Sequence, residues 1–444
     1  MGRVFRRPQL LPSEFHLERR PEVSKDRKGP RINVNVNNRV GTAIVGCGNV
    51  ASFYCSAMSK HPVLRLTGVT DRHDPRATAY ANYYSVRKYE SLDEILSDSS
   101  VELVLNLTNP RSHFSISKAC LDAGKHVYSE KPLAMSFPEA QELVRLAEQR
   151  GLRIASAPSR LLGETAQTMW RALRENAIGK VHAIYAEMDG SLIYRSPYKQ
   201  WFNEVGMHWP YKDEFEVGCT IEHAGYSVSW LAAYFGPVES VTAFATCQVA
   251  DMHTDVELDV RPPDLTVACL KFRSGPVARL TTSWIAPSDH SIRIFGDTGV
   301  LSTDDIWAPK SPVYITRSLG ISIGPKSIIV PWKKRYPLAV PEGEAREIEA
   351  RRPILRSPRN FVRAARARFL HLRKRVDFCL GPAEMATALR EQRPCRLSPD
   401  YCLHNTEVVL AIHNSLETGS HDEITTTFAC MEPLPWALPR SSGR

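Results

Sequence analysis

Residues 42–51 read T-A-I-V-G-C-G-N-V-A, an apolar strand running straight into a G-x-G-x-x-A turn and the start of a helix. Gly46 permits the tight turn, Gly48 lets another group approach the backbone, and small Ala51 lets helix and strand pack closely. The N–H groups at the helix start, those of Asn49 and Val50 among them, have no partner within the helix and carry partial positive charge. They suit a diphosphate. The motif alone is weak, but Asp71 closes the next apolar strand 25 residues after Gly46, as in a dinucleotide site. Asp71 would accept hydrogen bonds from the adenine-ribose hydroxyls and repel a 2′-phosphate, which favours NAD. Arg72 beside it would tolerate that phosphate, so NADP stays open. The bland alternative is a structural turn with a helix-capping aspartate.

From Val40 onward, short apolar runs alternate with amphipathic stretches. Strands are expected at 42–45, 64–70, 101–107 and 126–128, with helices at 49–60, 75–84, 92–97, 111–123 and 138–150. Ser136 and Glu139 read as a capping box for the last of these. Alternating βα units with short loops imply a parallel sheet covered on both faces. After Arg160 the texture changes. A helix at 164–176 precedes expected strands at 182–188, 238–247, 265–272, 277–284, 291–294 and 301–303, and a helix at 402–416. Gly296-Asp297-Thr298-Gly299 reads as a hairpin turn needing positive φ.

Composition excludes some classes. The chain has 444 residues, 43% of them hydrophobic, enough for large cores. The longest run without a charged side chain, Val40 to Ser59, is broken by glycines, Asn49 and serines, so no membrane span is expected. Arginines near the N-terminus have no apolar stretch after them, which argues against a signal peptide. Ten scattered cysteines without a C-x-x-C pair read as reduced thiols of a cytoplasmic protein, with no metal site. Cys395, Cys402 and His404 have no metal-ligand spacing.

The net charge of +9 is concentrated. Residues 351–376 hold ten Lys/Arg and no acid, and the first 39 hold ten against four. In the former, Val362, Ala365, Phe369, Leu372 and Val376 recur at helical spacing. Two readings stand: an amphipathic helix on its own core, or a surface for an anionic partner.

Further along come Asn106-Leu107-Thr108-Asn109-Pro110, His113, and A-G-K-H-V-Y-S-E-K-P-L-A over 123–134. With G-x-G-x-x-A at these intervals, the chain resembles the Gfo/Idh/MocA oxidoreductases from about Val40 to Gly419. The resemblance implies an N-terminal Rossmann domain (40–160) and a C-terminal α+β domain (161–420) with a large, mostly antiparallel sheet that often forms a homo-oligomer interface. A basic arm (1–39) and a tail (421–444) would flank them. It further implies that Thr108, Asn109 and His113 line the cofactor site, that Glu130 contacts its ribose side, and that Lys131 faces nicotinamide and substrate hydroxyl. The Lys131–Pro132 bond would be a candidate cis peptide. Burial beside the positive ring would lower Lys131 from about 10.4 toward ~7–8, fitting it to take a hydroxyl proton. The bland alternative is a surface lysine after a strand.

One departure stands out. Relatives often carry an aspartate and, four residues later, a histidine on a second-domain helix. Anchored on Gly225, those positions here are His223 and Ser227. His223 would lie one turn earlier on the same face, as a displaced proton carrier or a structural histidine; Tyr226 lies off that face. The aromatic stretch 194–216 would be either a sugar platform or a self-packed loop, and Asp289-His290 reads as turn chemistry. The expected function is hydride transfer between NAD(P) and a sugar, cyclitol or related polyol. The rival is a non-catalytic nucleotide-binding regulator or scaffold of the same fold.

Overall fold

The computed structural model describes residues 39–308, 310–317, 332–336, 376–418 and 421–438. All lie within one unit, 36–444. The basic segment 351–375 and residues 1–38 lie outside the described residues.

The first sheet has six parallel strands: β1 (Val40–Val45), β2 (Leu64–Thr70), β3 (Arg87–Lys88), β4 (Leu103–Asn106), β5 (His126–Ser129) and β6 (Ile154–Ser156), in the order β3-β2-β1-β4-β5-β6. This is the doubly wound Rossmann order. Its strands read as continuous apolar runs because both faces are covered. Ile44, Leu105 and Tyr128 enter one core, while Ala43, Val45, Val104 and Val127 enter the other. Helices Ala51–Met58, Asp74–Tyr84, His113–Asp122 and Phe137–Gln149 connect the strands.

The second sheet contains β7 (Val181–Asp189), β8 (Val238–Thr246), β9 (Leu265–Phe272), β10 (Val277–Ser283), β11 (Ile292–Gly296), β12 (Gly299–Thr303), β13 (Val313–Arg317), β14 (Trp332–Tyr336) and β15 (His421–Glu423). The order is β14-β13-β12-β11-β7-β10-β9-β8-β15, and only β7 and β10 pair in parallel among these strands. One face alternates inward: Thr266, Ala268, Leu270 and Phe272 are buried, whereas Cys269 and Lys271 are exposed. Helix Pro399–Thr418 lies on β8 and also meets helix Phe137–Gln149, tying the two sheets together. Among the described residues no helix is long and apolar enough to cross a membrane.

The α/β class and the second, mostly antiparallel sheet agree with expectation, but three local readings change. Ser136 stands at the helix N-cap without a side-chain hydrogen bond to the helix, so the expected capping box does not form. The β11–β12 hairpin exists, yet neither Gly296 nor Gly299 has positive φ. These glycines answer crowding: a Cβ on Gly296 would sit 2.2 Å from the Ile178 carbonyl oxygen, and one on Gly299 2.6 Å from that of Thr316. The expected tail begins as an edge strand, β15, beside β8.

Gly381, in helix Leu380–Arg390, abuts the fully buried Tyr128; an added Cβ would lie 2.4 Å from its hydroxyl and 2.5 Å from its ring. Gly381→Ala should therefore cost about 1–3 kcal/mol, read as a lower urea midpoint with unchanged slope. An unchanged midpoint would mean the helix is free to shift.

Candidate active site

The glycine turn follows β1 directly. Gly46 has φ +100°, and a Cβ there would lie 2.6 Å from the Leu107 carbonyl, so only glycine fits between β1 and the end of β4. At Gly48 a Cβ would meet nothing within 4 Å, which leaves room beside the turn. No side chain caps the helix beginning at Ala51. The Asp71 carboxylate accepts the Cys47 N–H at 2.7 Å and the His73 N–H at 2.8 Å, fixing it beside the turn, while Arg72 is exposed. These features fit a dinucleotide: open backbone for the diphosphate, and a fixed carboxylate for the ribose.

A hairpin that follows β7, with Phe202 bridged to His208, clasps this turn. Asn203 donates to the Asn49 carbonyl (3.1 Å) and to the Tyr80 hydroxyl (2.8 Å), and Tyr80 donates to the Gly48 carbonyl (2.6 Å). The Asn49 side chain donates to the Met207 carbonyl, so only its backbone remains for a phosphate. The flanking aromatics pack on one another, with Trp209 and Tyr198 each edge-on to Phe215. The self-packed reading of that stretch therefore holds.

At the end of β4, the Thr108 hydroxyl donates to Asn106, and the Asn109 side chain accepts the Arg111 N–H. His113 is fully buried, with its ring nitrogens 2.7 Å from the Pro132 carbonyl and 3.1 Å from that of Thr108. It braces these two turns beneath the surface instead of presenting a ring nitrogen to a ligand. Burial holds its pKa below the usual imidazole value.

At the end of β5, Glu130 accepts from the Tyr54 hydroxyl (2.6 Å) and from the Lys131 N–H (3.1 Å). The Lys131–Pro132 peptide is cis. The Lys131 ammonium pairs with Glu222, which comes from the helical stretch between β7 and β8. Burial opposes the ammonium, but Glu222, Tyr226, Glu214 and Glu130 outweigh it and hold Lys131 above the ordinary lysine value. The expected lowering is thus reversed in the protein alone, because carboxylates surround the amine.

Glu222 escaped the sequence reading because residues Thr220–Ala224 form a π-helical turn between helices Tyr211–Cys219 and Gly225–Phe235. A π turn accommodates an extra residue and rotates the faces on either side. Glu222, not His223, reaches Lys131. His223 instead packs edge-on to Trp284 and Trp307, its Nδ1 buried without a hydrogen-bond partner. Burial, then Lys131 and His290, push its pKa down to about 3, so the ring is neutral. Ser227, at the usual histidine position, is fully buried. Tyr226, expected off the face, shares a cleft with Tyr54, Glu130, Ser159, Arg160, Asp377 and Phe378. Burial raises its pKa to about 12. Trp307 is the aromatic hub: Tyr226, His223 and His290 lie 4.6, 5.7 and 5.6 Å from its ring. His290 therefore belongs to this cluster as well as to a turn.

Two family models match the chain: the oxidoreductase family with an NAD-binding Rossmann fold over residues 40–157, and the GFO/IDH/MocA C-terminal domain over 166–302. The chain belongs to the Gfo/Idh/MocA oxidoreductase family. It is 26% identical over 210 residues to an uncharacterized oxidoreductase of Schizosaccharomyces pombe, covering 46% of this chain and 54% of that protein. It is 25% identical over 163 residues to the NADP(+) scyllo-inositol 2-dehydrogenase of Bacillus subtilis, covering 37% and 43% respectively. The chain thus spans about half the length of these relatives. The WlbA dehydrogenase of Bordetella pertussis, solved with NADH and UDP-GlcNAcA, superposes with a TM-score of 0.62 at 17% identity over 88% of this chain and 99% of that one. That likeness supports the fold.

Removing the Glu222 charge takes a buried ammonium's ion-pair partner away. Glu222→Gln should lower stability by about 3–5 kcal/mol at neutral pH. Because the folded-state pKa of Lys131 lies above the unfolded one, the pair's contribution is whole below about 10.4 and fades only as pH rises through the raised value. The gap between wild type and variant should stay constant from about pH 7 to 10 in urea titrations. A gap that vanishes within that window would contradict the pairing.

Proposed function

We propose that this protein is an NAD(P)-dependent oxidoreductase that moves hydride between the nicotinamide and a secondary alcohol or ketone of a sugar, cyclitol or sugar derivative. The observation that carries this reading is the buried Lys131 at the end of β5, on the same sheet as the open glycine turn and joined to a carboxylate from the helical stretch between β7 and β8. Backbone at Gly46, Gly48, Asn49 and Val50 would hold the diphosphate, and Asp71 with Arg72 the adenosine ribose. Thr108, Asn109 and Glu130 would border the nicotinamide half. His113 supports that border from below.

Bound NAD(P) supplies the hydride acceptor and, when oxidised, a positive charge. In alcohol oxidation that positive charge would oppose the ammonium, so that Lys131 Nζ would pass its extra proton to Glu222 Oε2 and then take the proton of the substrate hydroxyl. Glu222 keeps that amine in place and receives its proton. Neutral His223 is a hydrogen-bonding wall of the site, and Tyr226 is the other phenolic wall. The nucleotide and substrate domains divide near Arg160, a boundary supported by family matches that end at 157 and resume at 166.

A second copy of the chain would cover the open face of the second sheet. Phe244 is 62% exposed there, and Tyr185, 39% exposed, has the guanidinium groups of Arg279 and Arg293 at 4.6 and 5.7 Å from its ring. A cytoplasmic setting is part of the proposal, since it would keep the ten free thiols reduced.

Substrate-dependent reduction of NAD or NADP across a polyol panel should occur with the wild type. It should fall by at least about 10²-fold in Lys131→Ala while nucleotide binding persists. Unchanged turnover in that variant would remove Lys131 from the chemistry; no turnover with any polyol would favour the regulator or scaffold reading. Light scattering should give a dimer or larger, and Phe244→Lys should shift it toward monomer. A monomeric wild type would refute the covered sheet.

A further inference from the structure

Arg160 opens a short 3-10 turn, Arg160–Leu162, just after the first sheet ends. Its guanidinium lies inside the cleft described above, flanked by the rings of Trp307 and Phe378 at 5.4 and 5.8 Å. Nη1 donates to the Trp307 carbonyl. Nη2 is buried and has no hydrogen-bond partner. Among the described residues no carboxylate lies within ion-pair distance of this guanidinium, which aromatic faces and one carbonyl cannot neutralise. A buried charge is ordinarily paired, because leaving it alone forfeits its hydration without return.

The acids nearby are engaged elsewhere. Glu222 holds Lys131; Glu130 accepts from Tyr54 and from the Lys131 N–H. Asp377 lies 3.0 Å from His61 and accepts the Cys379 N–H. Asp305 lies 3.4 Å from His290 and accepts the Trp307 N–H. Lys131 is locally neutralised, whereas Arg160, on which Asp305 acts only through space, has no carboxylate within ion-pair distance among the described residues. An incoming anion would supply the missing partner.

We propose that the substrate is a sugar acid whose carboxylate is bound by Arg160 Nη2. The proposal rests on the dehydrogenase reading of the same cleft and adds the charge of its substrate. A carboxylate matches the free nitrogen better than a phosphate, because Glu130 and Asp377 line the same cleft and their charge disfavours a dianion more than a monoanion.

The test is calorimetric titration of the full chain saturated with NAD, using matched probes: D-gluconate against D-glucitol, D-glucuronate against D-glucose, and D-glucose 6-phosphate. A hydrogen bond to a charged group corresponds to about 10- to 150-fold in affinity. The acids should bind tighter than their neutral partners by that order, and the phosphate more weakly than the carboxylates. Arg160→Gln should erase the gap by weakening the acids alone, and Arg160→Lys should restore part of it; NAD affinity should stay unchanged in both. Equal affinity for acid and neutral probes, no binding of any carboxylate, or preference for the phosphate would overturn the proposal. Weaker NAD binding in Arg160→Gln would overturn it too, by assigning the guanidinium to the cofactor. Carboxylate binding that depends on Arg160 but gives no NAD(P) reduction would leave the anion site standing and defeat the dehydrogenase reading instead. Robust turnover of neutral sugars with no acid preference would do the opposite.

Discussion

The ion pair between Lys131 and Glu222 is the constraint on which the site depends. Its two members come from separate parts of the fold: the cis turn after β5 and the π-helical turn between the helices that precede β8. Holding two charges out of water demands exact placement, because neither is stable there alone. The pair therefore joins two separate folding patterns at one point. It also fixes which protonation states are at hand: an ammonium with a carboxylate beside it, surrounded by neutral His223 and the Tyr226 phenol.

Around this point the fold brings groups together from two directions. The parallel sheet brings its glycine turn, the Asp71 carboxylate and the Thr108 and Glu130 turns to one edge, as the switch from β1 to β4 in a doubly wound sheet requires. The antiparallel sheet contributes the aromatic hub at Trp307 and the helices that carry Glu222 and Tyr226. Asn203 and its hairpin couple the two by hydrogen-bonding to the very residues that shape the glycine turn. Buried His113 then links the β4 and β5 turns, so the parts of the nucleotide edge are not independent of one another.

Much of this was legible in the sequence, and the reasons differ by region. Strands β1, β2, β4 and β5 announce themselves because a strand buried on both faces must be apolar throughout, and the spacing from Gly46 to Asp71 belongs to a single βαβ unit. The short β3 and β6 carry too few residues for any period to show. Glu222 was hidden for a specific reason: regular helical periodicity assumes 3.6 residues per turn, and a π turn breaks that count just where the functional face begins. Trp307 was hidden because it reaches the cleft from an irregular segment after β12, where no local pattern predicts a destination. The aromatics of 194–216 looked like a sugar platform by composition, but composition cannot distinguish rings that await a ligand from rings that pack on each other. For Lys131 the residue was legible and its electrostatic setting was not, since three of the groups that raise its pKa lie more than 80 positions away in sequence.

The central claim is that the open backbone at Gly48 and the amine of Lys131 serve one nicotinamide dinucleotide. Fluorescence titration of the full, folded chain with NADH and NADPH tests it most directly. Saturable binding of at least one of them well below about 1 mM, weakened when Gly48 is replaced by valine in a chain that still folds, is the predicted result. No binding of either nucleotide at that concentration would contradict the account.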